Sequence, residues 1–226
     1  MESARWRYVE GKQKEAIGAL ESFARSAEGD YSAYAHAQLS VWYLAAGQTG
    51  PAQDHASAAI QGAKSPAVRG PAVVVRFLSQ PRPDPSQWMI SAEQVFGPGS
   101  SPLKTAAIGY GMLLSRQFGP ASQFFETMYR QTAPALDGQA RTLYAWTLVE
   151  TSRKADAEPL VQTYPLTFGS GEALFSTLVF PRFFYVRGMV MEALGKQDEA
   201  RKAFDLVQKF QADMPSIFPV RKPPGA

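Results

Sequence analysis

Three stretches share one pattern: Gly11-Lys-Gln-Lys-Glu-Ala16, Gly47-Gln-Thr-Gly-Pro-Ala52 and Gly195-Lys-Gln-Asp-Glu-Ala200. In each, a glycine stands five residues before an alanine, at the seam between two helical patterns. Glycine supplies the left-handed backbone that ends one helix, and the polar residues or proline that follow open the next. Each stretch therefore predicts a helix–turn–helix, and their recurrence predicts a chain of such hairpins.

With the alanine as a ruler, the residue twelve positions earlier is small: Ala4, Ser40 and Gly188. Ala121 and Ala157 pass the same test, with Gly109 and Ala145 twelve before them. Apolar residues stand four and seven positions after each alanine: Leu20 and Phe23, Ala56 and Ala59, Phe125 and Met128, Val161 and Tyr164, Phe204 and Val207. Small residues let two antiparallel helices approach, while the larger ones form a stripe that seals each pair against its neighbour. The five alanines stand 36, 69, 36 and 43 residues apart. The 69 is close to two repeats, the second of them degenerate at about 66–97: an apolar segment at Val68–Leu78, then Pro81, Pro83 and Pro85, then an amphipathic stretch at Gln87–Phe96. The 43 is one repeat plus an insertion at about 165–172, where Thr167-Phe168-Gly169-Ser170-Gly171 reads as loop. No stretch alternates cleanly enough for a sheet; a non-repeating helical bundle is the competing all-α arrangement.

Composition bounds the rest. The 226 residues are 45% hydrophobic and 19% charged, enough apolar chain for a sizeable core and too little charge for a disordered one. Cysteine is absent, which removes disulfides, thiolate metal sites and cysteine nucleophiles and leaves the redox compartment open. A net charge of +3 from 23 basic and 20 acidic side chains is a small surplus on a mixed surface, so nucleic acid is not an expected partner. Residues 1–10 lack the apolar core of a secretory signal, and no apolar run is long enough to span a bilayer. The chain is expected to be soluble, in the cytoplasm by preference or the periplasm if it is part of a longer protein.

The hairpin unit, with small residues at helix contacts, a glycine before the second helix and a proline after it (Pro66, Pro134, Pro165, Pro215), resembles the tetratricopeptide repeat. The resemblance covers residues 1–212 as about five copies and one degenerate copy, followed by a proline-rich tail at 213–226. The first copy starts only two turns before Gly11, so a cut within or just before a repeat of a longer protein is expected. The resemblance implies a right-handed α-solenoid whose first helices line a concave groove. Helical phase then projects Tyr34, Ala37, Val41 and Leu44, then Leu103, Ala106, Tyr110 and Leu113, then Gln139, Thr142, Trp146 and Val149, and last Arg182, Tyr185, Met189 and Glu192 into that groove. The family's carboxylate clamp uses lysines, arginine and asparagines; this chain has no asparagine, so an apolar or amphipathic helical segment is the expected occupant. Tyr110, Trp146 and Tyr185 are its candidate anchors, with core packing as the competing role for each.

No catalytic constellation is evident. His36 and His55 are too few for a metal cluster, and no His-x-x-x-His pair exists. The stretch Gly97-Pro98-Gly99-Ser100-Ser101-Pro102-Leu103-Lys104-Thr105 has the look of a phosphate loop, but it has Leu103 where glycine is required, and its prolines delete backbone donors. Pro102 is better read as opening a helix. The expected function is thus a non-catalytic scaffold, without cofactor or metal, that holds a protein or peptide segment in its groove or self-associates through an end repeat. Alternatives are a solenoid that binds a small apolar ligand under the 165–172 insert, or the recruiting arm of a membrane-anchored or catalytic protein. Part of the Phe180-Pro181-Arg182-Phe183-Phe184-Tyr185 cluster is a candidate cover for such a ligand or for the chain's own tail, and Ile217 and Phe218 in the tail are candidate groove-docking residues.

Overall fold

The computed structural model describes residues 1–80, 88–99, 101–131, 138–163 and 173–210. Among these, every regular element is helical. The α-helices are α1 (Glu2–Val9), α2 (Gln13–Ser26), α3 (Gly29–Ala45), α4 (Thr49–Gly62), α5 (Pro66–Ser79), α6 (Trp88–Phe96), α7 (Pro102–Leu114), α8 (Phe118–Gln131), α9 (Gly138–Glu150), α10 (Lys154–Ala157), α11 (Ala173–Ala193) and α12 (Gln197–Lys209). Consecutive helices pack against one another, which makes the chain an all-α solenoid of helix hairpins. None of the described helices is long and apolar enough to cross a membrane.

One turn recurs at all five ruler alanines. Gly11, Gly47 and Gly195 have φ of 87°, 75° and 75°, and Arg116 and Ser152 take the same left-handed conformation at the equivalent positions, φ 59° and 64°. The next residue's N–H reaches the carbonyl five residues back at every one, as in Gln48 to Tyr43 (2.9 Å), Gln117 to Met112 (2.8 Å) and Arg153 to Leu148 (2.7 Å). This closure occupies carbonyls that a helix end would otherwise leave bare. Each second helix then begins three residues before its alanine, and all five alanines are buried.

The close approach follows from the small residues. A Cβ built on Gly109 would lie 3.0 Å from the Phe125 ring, and one on Gly188 would lie 2.5 Å from the Phe204 ring. These are the positions twelve before and four after the alanine, so the glycine is the socket and the phenylalanine the knob of one helix pair.

The degenerate copy is a pair of helices, α5 and α6, joined at Phe77, whose ring meets Trp88 (5.2 Å) and Phe96 (5.6 Å). Trp88 is fully buried over Gly111 of α7, where an added Cβ would sit 2.6 Å from the indole. Two features depart from expectation. The second helix of the Ala157 copy is cut to α10 and a 3-10 turn at Glu158–Leu160, because Pro159 has no N–H to continue the ladder; Val161 is buried all the same. The extra chain of the 43-residue spacing is helical where it is described: α11 has 21 residues against 13 in α7 and 13 in α9. The expected loop at 165–172 and the tail at 213–226 lie outside the described residues, as do Pro81, Pro83, Pro85 and Tyr164.

Candidate functional site

Helices α7 and α9 both begin nineteen residues before their ruler alanine, at Pro102 and Gly138; nineteen residues before Ala200 stands Pro181. The hairpin helix of the last copy would thus start at Pro181, as Pro102 starts α7, and Ala173–Phe180 is an added stretch. It continues the helix without a break in assignment, with Pro181 inside.

The added stretch lies against the first helices of earlier hairpins. Its Phe175 ring stacks on Tyr110 of α7, with centroids 5.1 Å apart and planes 27° apart. Its Thr177 Oγ1 accepts a hydrogen bond from Trp42 Nε1 of α3 (3.0 Å) and a longer one from Gln38 Nε2 (3.5 Å). Gln38 is held in turn by Arg5 of α1, whose Nε donates to Gln38 Oε1 at 3.0 Å. Tyr8 stacks on Trp42 (4.3 Å, 9°), and the Arg5 guanidinium lies 5.0 Å from the Tyr34 ring centre. Arg5, Gln38, Trp42 and Thr177 are all buried, so a polar chain links α1, α3 and α11 through the interior. Burial lowers the pKa of Arg5, and Glu2 acts weakly in the other direction.

Further along α11, Arg182 stacks on Trp146 of α9, 4.3 Å from the ring centre, and lies 5.4 Å from the Tyr185 centre. Trp146 Nε1 donates to Glu150 Oε1 (3.2 Å). Burial pulls the Arg182 pKa down to about 10, against the opposing pull of Tyr185 and Glu150. The guanidinium stays charged at neutral pH, stabilised by the two ring faces.

These contacts decide where the projected lining residues stand. Tyr110, Trp146, Arg182 and Tyr185 are 2%, 6%, 6% and 1% exposed, and Val41 is fully buried. Tyr34, Ala106, Gln139, Met189 and Glu192 keep partial exposure, and Leu103 is exposed. Of the two roles left open for Tyr110, Trp146 and Tyr185, their burial favours core packing, with Phe175 of the added stretch on Tyr110 and Arg182 on Trp146. Two buried polar atoms of α9, Gln139 Oε1 and Thr142 Oγ1, have no hydrogen-bond partner among the described residues. They share one face of α9, beside Tyr110, whose hydroxyl is bonded by Gln139 Nε2 (2.9 Å).

Lys104, the lysine of the phosphate-loop look-alike, is buried and directed into protein: its Nζ donates to Glu93 Oε1 (2.6 Å) and to the carbonyls of Gly97 and Gly99 (3.0 Å each). Pro102 opens α7 as expected, with Ser101 Oγ capping the Lys104 N–H (3.2 Å). The two histidines meet, His36 Nδ1 lying 2.8 Å from His55 Nδ1 between α3 and α4. Among the described residues no group of three or more His, Cys, Asp or Glu is placed to hold a metal.

Comparison with protein-family models, curated proteins and solved structures returned no match.

Sequence reasoning missed Arg5, Gln38 and Thr177. A signal existed for one of them: Gln38 is the single amide in the largely apolar run Ala37–Leu44, where a buried polar side chain needs a dedicated partner.

Proposed function

We propose that this chain is a non-catalytic binding scaffold of tetratricopeptide-like hairpins, which holds a helical protein segment on the face formed by its first helices. The observation that carries this is the helix already lying there: Ala173–Phe180 rests across α3 and α7 by one aromatic stack and one buried hydroxyl contact. A face that accommodates a helix in this way has the shape and polarity of a helix-accepting groove. The same side chains carry structural roles that account for their chemistry, as Lys104 does in its cage of carbonyls and carboxylate.

The test is site-specific photo-cross-linking in lysate of the source organism. A photoreactive residue at Tyr34 or Met189, two of the partly exposed lining positions, is expected to yield a discrete protein adduct. The same residue at Lys202, exposed on α12, is expected to yield none. Adducts absent from both lining positions, or equally abundant at Lys202, would remove the groove as the binding site.

A further inference from the structure

The chain has two histidines and no cysteine. The histidines stand 19 residues apart on different helices, and the α3–α4 hairpin brings Nδ1 of His36 to 2.8 Å from Nδ1 of His55. Both rings are partly exposed, so solvent reaches the pair. The surroundings hold the rings in place. Ala52, Ala56 and Ala59 of α4 are fully buried and let α3 pack closely against it. The Tyr43 ring lies flat on His55 (5.3 Å, 11°), and the Tyr43 hydroxyl is tied to Glu21 of α2 (2.5 Å). Burial, and after it His36, disfavours a proton on His55, while Glu21 and Asp54 favour positive charge there. A neutral imidazole in the field of two carboxylates is suited to ligate a cation.

From this geometry we infer that His36 and His55 chelate one late first-row divalent ion, Cu²⁺ in preference to Ni²⁺ and Zn²⁺, through their two Nδ1 atoms. The inference goes beyond the scaffold reading and does not rest on it. Metal–imidazole bonds of about 2.0–2.1 Å would place nitrogens 2.8 Å apart at roughly 84–89° around the ion. That is the angle between neighbouring ligands of a tetragonal or octahedral ion, whereas a tetrahedral one needs nitrogens about 3.3–3.4 Å apart. Imidazole binds Cu²⁺ more tightly than Ni²⁺ or Zn²⁺, and the angle favours the same order. In the hydrogen-bonded pair one Nδ1 carries a proton; on chelation that ring carries it on Nε2 instead, and neither ring changes charge. Among the described residues no third His, Cys, Asp or Glu completes a group with the pair, so water fills the remaining positions and the ion is exchangeable.

The experiment titrates Cu²⁺ into the full chain at neutral pH, with binding followed by calorimetry and the ligands read by pulsed electron paramagnetic resonance. One bound Cu²⁺ with two imidazole nitrogens is expected, on a chain whose sedimentation does not change. Because the chain has no other imidazole, that signature within a single chain comes from His36 and His55 alone. His36→Gln and His55→Gln, shown by circular dichroism to be folded, are each expected to bind about a hundredfold more weakly and to show one imidazole, since the second nitrogen no longer binds within the same molecule. Ni²⁺ and Zn²⁺ are expected to bind the native chain more weakly than Cu²⁺. A native spectrum with one imidazole or none overturns the inference whether or not the variants fold. So do two imidazoles that appear only as the chain dimerises, folded variants that bind as the native chain does, or Zn²⁺ binding more tightly than Cu²⁺.

Discussion

At the scale of single residues, the helix pairs are set by what a glycine lacks. Gly188 faces the Phe204 ring so closely that a methyl group would lie 2.5 Å from its edge, whereas Gly18, inside α2, has nothing within 4 Å of the same position. Gly188→Ala must push the ring or the helix aside, and a loss of about 1–3 kcal/mol is expected. Gly18→Ala removes backbone freedom from the unfolded chain without a clash, and a gain of about 0.5–1 kcal/mol is expected. Denaturant melts of the two variants measure both, and equal effects would contradict the socket assigned to Gly188. The left-handed turn residues carry the complementary lesson. Gly11, Gly47 and Gly195 announce their conformation, but Arg116 and Ser152 adopt it with side chains that do not favour it, held by the same pair of backbone hydrogen bonds. Those two turns were found through alanine spacing and not through turn composition.

At the scale of elements, the α3–α4 hairpin carries a titratable contact. A 2.8 Å approach of His36 Nδ1 and His55 Nδ1 is a hydrogen bond only while at least one ring is neutral. Tyr43 of α3 stacks on His55 (5.3 Å, 11°) and donates to Glu21 of α2 (2.5 Å). Burial, then the Glu21 bond, pushes the Tyr43 pKa up to about 12, so it stays protonated throughout. Burial lowers the pKa of both histidines below 6.5, and His36 lowers that of His55 further; Glu21 and Asp54 oppose this without reversing it. The unfolded chain therefore binds more protons than the folded one below pH 6.5, and stability falls as pH drops through that value. The pair's contribution is complete above it. The melting temperature is expected to fall between pH 7.5 and pH 5.5, and the fall is expected to shrink in His36→Gln and His55→Gln. An unchanged fall in both variants would place the sensitivity elsewhere.

At the scale of the molecule, the fold closes through α11. Thr177 reaches Trp42 and Gln38, 135 and 139 residues earlier in the chain, and Gln38 connects to Arg5 in α1. Members of one buried hydrogen-bond chain are not independent. Arg5→Met and Thr177→Val are each expected to cost about 1–3 kcal/mol. The double variant is expected to cost less than the sum. Hydrogen exchange should accelerate in Ala173–Phe180 and α1 while α8 and α12 remain as they were. Strict additivity, or uniform acceleration along the chain, would mean that the chain of bonds does not hold the two ends together.

Most of the hairpin architecture was legible because its causes are local. A turn residue, an alanine five residues on, a small residue twelve before it and an apolar one four after it all sit within one helix pair, and the alanines recur at spacings of 36, 69, 36 and 43 residues. Helix starts at Gln13, Thr49, Phe118 and Gln197 follow from those positions. Helical phase likewise places Tyr110 and Trp146 at corresponding positions of their hairpins' first helices, with Tyr185 one turn earlier in its own. Whether those positions face water or protein is not a local property. An exposed aromatic anchor and a buried one have the same spacing, and the stretch that covers Tyr110 belongs to a segment with no counterpart in the repeat. Pro181 reads as a helix opening by analogy with Pro102, yet α11 passes through it, because Phe175 and Thr177 find partners on α7 and α3 that outweigh one missing hydrogen bond. The sequence by itself determined the hairpins and their turns, through contacts between residues close in the chain. Only the tertiary structure decided that the inward face is filled, because that depends on surfaces more than a hundred residues apart meeting around a single threonine hydroxyl.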